Sequence, residues 1–312
     1  MIEVGVTAWR FGTGGLAHEL ASQAEQAESM GISSFWLPEN HFGGNSSIPS
    51  PLMLLAAVAA RTHHIKLGSS SYLLPIRHPI QAAEEVAVLD RMSGGRVILG
   101  VGRGFQDAMF TAYGVPAKEK RKRFRESLTQ MIAAWQGEPI AYQGSGEEAV
   151  PIYLAPQPVQ EPHPAIWVAA FGPLAIKQAA SFGLPYLASP VESDQVLIDN
   201  YQHHSTCIAE AGLAKVSTVP IMRTLFISES AAEISAVKEQ LAQENSARRG
   251  DADSTDDWSI VGDPSYARDR LSRLRDSIGL SHLIARGRIA GITDEVQLRS
   301  LEHLLKITSD LR

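Results

Sequence analysis

Short apolar runs alternate along the chain with longer stretches in which apolar and polar positions recur at helical spacing. Residues 2–7 read as a buried strand. Residues 16–30 read as a helix with Leu16, Leu20, Ala24 and Ala27 on one stripe, stopped by Gly31. The same beat continues with strands at 34–37, 65–71 and 96–101 and helices at 51–61, 79–92 and 118–136. The second half repeats it, with strands at 166–170, 186–189, 218–228 and 282–286. Its helices are expected at 174–182, 194–211, 231–247 and 295–309, with an extra one at 265–278 before the last strand. Alternating strand and helix signals predict a parallel sheet with helical crossovers. Eight repeats predict a closed α/β TIM barrel, (β/α)8, with an open doubly wound sheet as the alternative. No linker divides the chain, so residues 1–312 are expected to form a single domain. Two stretches break the rhythm. Residues 137–163, rich in Pro, Gly and Gln, are expected as an insertion before strand 5, and the polar, loop-like 246–263 as one before strand 8.

Composition narrows the function classes. The chain is 44% hydrophobic and 20% charged, as ordinary globular proteins are, with a net charge of −6. That charge speaks against nucleic acid as a partner of the basic run at 118–125 (KEKRKRFR). The run leads into Phe124, Leu128, Met131, Ile132 and Trp135 at helical spacing, so it predicts the exposed face of an amphipathic helix. Cys207 is the single cysteine, which rules out an internal disulfide. The first residues read as a strand rather than a signal peptide, and no apolar run approaches the roughly 20 residues of a membrane span. A cytoplasmic location is expected. His63 and His64, and likewise His203 and His204, are adjacent and lack a carboxylate or cysteine at ligand spacing, so no metal site is expected.

In a barrel, chemistry sits just past the C-terminal ends of the strands. Those positions hold Trp9, Arg10 and Phe11, followed by a Gly-rich turn at 12–15. Further ends hold Glu39, Asn40, His41 and Phe42; Ser70, Ser71 and Tyr72; Arg103; Phe171 and Gly172; Arg223; and Arg286 and Arg288. Gly100, Gly102 and Gly104 remove side-chain bulk around Arg103. Its guanidinium can meet a ligand phosphate in bidentate fashion, or serve as a structural arginine paired with a carboxylate. Gly172 and Pro173 open the helix that follows, where the free amides and the helix dipole favour an anion.

The segments 36–42 (WLPENHF), 74–79 (LPIRHP), 89–96 (LDRMSGGR), 99–104 (LGVGRG) and 169–185 resemble bacterial luciferase-like flavin monooxygenases. The resemblance implies a barrel that binds reduced FMN supplied by a separate flavin reductase, or in one branch the deazaflavin F420. Carried over by position, it implies that Arg103, with Phe171, Gly172 and Ala175, meets the flavin phosphate. It places Ser70 and Ser71 against the flavin ring, with a cis non-proline bond there or at a neighbour. The luciferases have a catalytic histidine where this chain has Asn40, which cannot exchange a proton near neutral pH. His41 beside it can act as an acid or base, or can be a structural histidine bonded to Glu39 or to backbone. Strand-end position assigns Trp9, Phe11, Phe42 and Tyr72 to the substrate pocket, with Arg10, Arg223 or Arg286 meeting an anionic group. The expected function is an FMN-dependent monooxygenase using O2 on a small organic substrate. F420-dependent hydride transfer and a non-catalytic flavin-binding barrel are the alternatives. A homodimer is implied by the resemblance.

Overall fold

The computed structural model describes residues 2–12, 15–44, 47–144, 146, 149–249 and 254–311, without the side chains of 246–249. Its strands are β1 (Glu3–Thr7), β2 (Ser34–Leu37), β3 (Lys66–Ser69), β4 (Tyr72–Leu73), β5 (Val97–Gly102) and β6 (Ala141–Gln143). They continue with β7 (Val150–Ile152), β8 (Ala165–Ala169), β9 (Tyr186–Leu187), β10 (Pro220–Ile227), β11 (Ser259–Gly262) and β12 (His282–Arg286). The helices are α1 (Leu16–Ser29), α2 (Pro51–Ala59), α3 (Pro79–Ser93), α4 (Asp107–Ala112), α5 (Lys120–Trp135) and α6 (Pro173–Ala180). The remainder are α7 (Asp194–Glu210), α8 (Ala231–Arg249), α9 (Thr255–Trp258), α10 (Pro264–Ile278) and α11 (Asp294–Asp310). This is a parallel α/β fold. It divides into a first unit of Met1–Phe11, Gln26–Trp36 and Ala170–Arg312 and a second of Gly12–Glu25 and Leu37–Ala169.

In the first unit β12 lies parallel between β1 and β10, with Val4 opposite Leu283 and Met222 opposite Ile284. β10 also pairs with β11, and its start bridges to Ala188 just after β9. All eight residues of β10 are buried, as expected for a strand covered on both faces. Helices α10 and α11 open on side-chain caps: Asp263 accepts from the Tyr266 amide and Thr293 from the Val296 amide.

In the second unit β5 runs between β3 and β8, all parallel, with Leu67 opposite Val97 and Leu99 opposite Ile166. β4 pairs with the last part of β5, Tyr72 opposite Val101. α3 buries Ala82, Ala83, Val86, Ala87, Leu89, Asp90 and Ser93 along one face. α5 buries Phe124, Leu128, Met131 and Trp135 and exposes Arg121, Lys122 and Arg125, so the basic run is the outer face of an amphipathic helix.

The segment LDRMSGGR fastens the start of β5. The Asp90 carboxylate, fully buried, accepts from the Val159 amide (2.7 Å), the Gln160 amide (2.9 Å) and the Gln160 side chain (2.6 Å). The Arg96 guanidinium donates to the carbonyls of Ala59, Thr62, Ile65 and Ser93 and to Thr62 Oγ1, at 2.7–3.1 Å. Its planar fork meets acceptors from several directions, which a lysine cannot do.

Three departures from the sequence reading have physical causes. The stretch expected as one strand over 65–71 is interrupted after Ser69 by a cis Ser70–Ser71 peptide bond, and pairing resumes at Tyr72. Within 137–163, β6 and β7 form an antiparallel hairpin of mostly exposed residues. Residues 246–263 are not all loop: Ile260 and Val261 of β11 are fully buried beside β10, a strand too short to stand out among Ser and Asp neighbours. Residues 13 and 14 of the expected Gly-rich turn, and 250–253 of that insertion, lie outside the described residues. Among the described residues no helix is long and apolar enough to cross a membrane.

Candidate functional site

In the second unit the chemistry gathers where β3 and β5 end. Ser69 Oγ donates to the Gly100 carbonyl (3.0 Å), and the Ser70 amide to the Leu37 carbonyl (2.9 Å). A Cβ at Gly102 would stand 2.1 Å from Ser71 Oγ, so only glycine lets the serine pair lie against β5. The cis bond falls at Ser70–Ser71, where the resemblance places one. Arg103 follows directly on β5, half-buried, with no ion pair among the described residues. Burial lowers its pKa, and the nearby Arg121 guanidinium lowers it further. A half-buried arginine with a second cation near it and no ion pair of its own among the described residues suits an anionic ligand. Arg121 was missed in the sequence because it sits in the basic run that reads as a solvated helix face.

Glu39 is the hub of the adjoining loop. Its buried carboxylate accepts from His41 Nε2 (2.8 Å), Arg77 Nη1 (2.8 Å) and the Leu73 amide (3.0 Å). The other nitrogen of His41, Nδ1, lies 3.3 Å from Tyr113 Oη. Asn40 is tied into the loop: its Oδ1 accepts from the Ile48 amide (2.6 Å) and its own amide donates to the Ile48 carbonyl (3.0 Å). Phe42 projects outward, 65% exposed. Tyr72 is buried, its hydroxyl donating to Glu85 (2.8 Å) and its ring lying under the Arg77 guanidinium. Burial pushes the Tyr72 phenol pKa up. Burial acts to lower that of Arg77, but Tyr72, Glu39 and Glu85 outweigh it and raise it. A polar cavity of about 260 Å³ opens among Ser50, Tyr72, Arg77, His78, Glu85 and Tyr113. A more apolar one of about 380 Å³ adjoins it between α2 and α3, lined by Leu52, Met53, Ala56, Val88 and Met92.

In the first unit Phe171 is 71% exposed just before α6. Gly172 has φ of 81°, a backbone that L side chains rarely adopt, and Pro173 takes the first helical position. Ala175 is buried, and its amide donates to the Gly172 carbonyl at 3.0 Å. Trp9 is buried beside Gly287, whose amide donates to Thr7 Oγ1 (3.0 Å). Arg288 lies over the Phe11 ring, 5.5 Å from its centroid, and Arg10 pairs with Asp294. Arg286 donates to Thr224 Oγ1 (3.2 Å).

Arg223, assigned to the substrate pocket by strand-end position, is enclosed within the protein. It is fully buried, 3.7 Å from Asp194, and donates to the Ser189 carbonyl (3.3 Å). Asp194 also pairs with Arg270 at 2.7 Å. The reason is strand parity: Met222 and Thr224 stand opposite Ile284 and Arg286, and Arg223 points to the other face. Burial lowers the Arg223 pKa and raises that of the neighbouring Glu192 carboxyl to about 6. Among the described residues no three His, Cys, Asp or Glu gather to hold a metal ion. Cys207 is buried within α7, with His203 nearby.

Residues 5–282 match the family model of the luciferase-like monooxygenases. The chain belongs to that family. It is similar to the oxygenase component of a flavin-dependent trigonelline monooxygenase from Acinetobacter baylyi, 29% identical over 62% of this chain and 54% of that protein. It is also similar to an F420-dependent glucose-6-phosphate dehydrogenase from Amycolatopsis mediterranei, 29% identical over 92% of this chain and 93% of the other. The chain spans about half the length of the first curated relatives it matches. In fold it resembles the oxygenating constituent of 3,6-diketocamphane monooxygenase from Pseudomonas putida, solved with FMN. That likeness has a TM-score of 0.80 and 22% identity over 97% of this chain and 96% of that one. The relatives of this family member thus include a flavin-dependent monooxygenase component and an F420-dependent enzyme.

Proposed function

We propose that the chain is a monooxygenase component that binds reduced FMN from a separate reductase and uses O2 on a small organic substrate. The observation that carries this reading is Arg103, half-buried directly after β5 with no ion pair among the described residues and with the positive charge of Arg121 nearby. The fit is chemical: a phosphate dianion supplies the negative charge that Arg103 lacks among the described residues. In this reading the 312 residues form one (β/α)8 domain, and Phe171, Gly172 and Ala175 add a second set of phosphate contacts. Ser70 and Ser71 lie against the flavin ring, held there by Ser69 and by the clearance at Gly102.

Bound reduced flavin would supply the electrons that activate O2. The chain's own part is to hold the phosphate, exclude water and place protons. Trp9, Phe11 and Phe42 are assigned to the substrate side, while Tyr72 supports the site from beneath. Asn40 positions the loop through Ile48, and His41 is the acid–base group. We place the enzyme in the cytoplasm as a homodimer. The exposed apolar stripe of Met53, Val88 and Met92 on α2 and α3 supports self-association.

A second reading, hydride transfer with F420, is favoured by the 92% coverage of the glucose-6-phosphate dehydrogenase match. Titration of the protein with reduced FMN and with F420, followed by fluorescence, separates the two. The proposal expects saturable binding of FMN. Binding of F420 with none of FMN overturns it. Oxygen uptake that yields only peroxide across a panel of aldehydes, sulfonates and cyclic ketones would favour a non-catalytic flavin binder.

A further inference from the structure

His41 cannot touch a ligand directly. Its side chain is 2% exposed, and both ring nitrogens are engaged within the protein. The Glu39 carboxylate is an acceptor and already takes hydrogen bonds from Arg77 and the Leu73 amide. The hydrogen shared with His41 therefore belongs to Nε2. In the neutral ring that leaves Nδ1 as an acceptor, and the group facing it is the Tyr113 hydroxyl at 3.3 Å. The two rings meet edge to face, with centroids 5.3 Å apart. Tyr113 is 46% exposed and lines the polar cavity of about 260 Å³.

We propose that Glu39, His41 and Tyr113 form a proton relay, with Tyr113 as the catalytic group that meets a hydroxyl or other protic group of a small molecule in this cavity. The inference rests on the reading of His41 as the acid–base group and changes how that group reaches substrate. When the ligand gives up a proton, Tyr113 Oη takes it and passes its own phenolic proton to His41 Nδ1. One ligand O–H bond is broken, the Tyr113 O–H bond is broken and remade, and an N–H bond forms at Nδ1. The ligand leaves the step as an anion and His41 as an imidazolium, stabilised by Glu39. Arg77 Nη1 donates to the same carboxylate, so Glu39 has its acceptor positions taken up by Arg77, the Leu73 amide and His41. The reverse sequence delivers a proton. Among the described residues the groups facing His41 are Glu39, Tyr113 and the Phe42 ring, and the other charged or titratable groups around the cavity are Tyr72, Arg77, His78 and Glu85.

Two measurements on Tyr113→Phe test this, a change that keeps the ring contact and removes the hydroxyl. In 15N spectra of the cofactor-free protein, His41 is expected as the Nε2–H tautomer with a hydrogen-bonded Nδ1. The variant should move the Nδ1 resonance to that of an unbonded nitrogen and leave Nε2 in place. With reduced FMN and a coupled substrate, the variant should lose about 10²-fold in kcat, the scale of positioned acid–base catalysis, with KM and FMN affinity unchanged. A proton on Nδ1 in the wild type, an Nδ1 signal indifferent to the substitution, or wild-type kcat in the variant would overturn the relay. Failure to bind FMN would instead defeat the cofactor reading, and the nitrogen spectra would still decide the relay.

Discussion

The two ends of β5 differ in how their charges are satisfied. At its start, Asp90 accepts three hydrogen bonds and Arg96 reaches the carbonyls of Ala59, Thr62, Ile65 and Ser93. Nothing there is available to a ligand. At its finish, Arg103 is half-buried near Arg121 with no ion pair of its own among the described residues. Arg96 and Arg103 both belong to segments that carry the family resemblance. One end fastens the scaffold, and the other is where the proposed flavin phosphate would bind.

The contrast predicts that substitutions at the first end cost stability and those at the second cost binding. The largest effect is expected for Asp90→Ala, which strands two backbone amides and the Gln160 side chain. Loss of hydrogen bonds to a buried charge should lower unfolding free energy by about 3–4 kcal/mol in urea titration. Wild-type stability in that variant would mean that the 159–160 segment is held by something else. Arg96→Lys keeps the charge and loses the fork, and should cost about 2 kcal/mol by the same measurement while flavin affinity stays unchanged. A large loss of flavin affinity with intact stability would blur the distinction between the two ends.

Much of the alternation was legible because buried strands and amphipathic helices have different periods. The cis bond at Ser70–Ser71 was expected from the resemblance alone, and nothing in those residue types announces it. The segment LDRMSGGR is among those that carry the resemblance, yet Asp90 and Arg96 within it bond the protein's own backbone. Arg121 stayed hidden, since its spacing belongs to the exposed side of α5 and its nearness to Arg103 is a tertiary fact. Arg223 shows the opposite limit: position along a strand was readable, but which face it takes depends on the register with β12. Tyr113, outside every expected strand end, emerged only through its contact with His41.

The most direct test of the central claim compares FMN with riboflavin, which lacks the phosphate, on the wild type and on Arg103→Ala. Removing a charge-assisted contact of about 1.5–3 kcal/mol should weaken FMN binding about 10- to 100-fold. Riboflavin affinity and thermal stability should be the same in both proteins. Equal FMN affinity in wild type and variant would contradict the account.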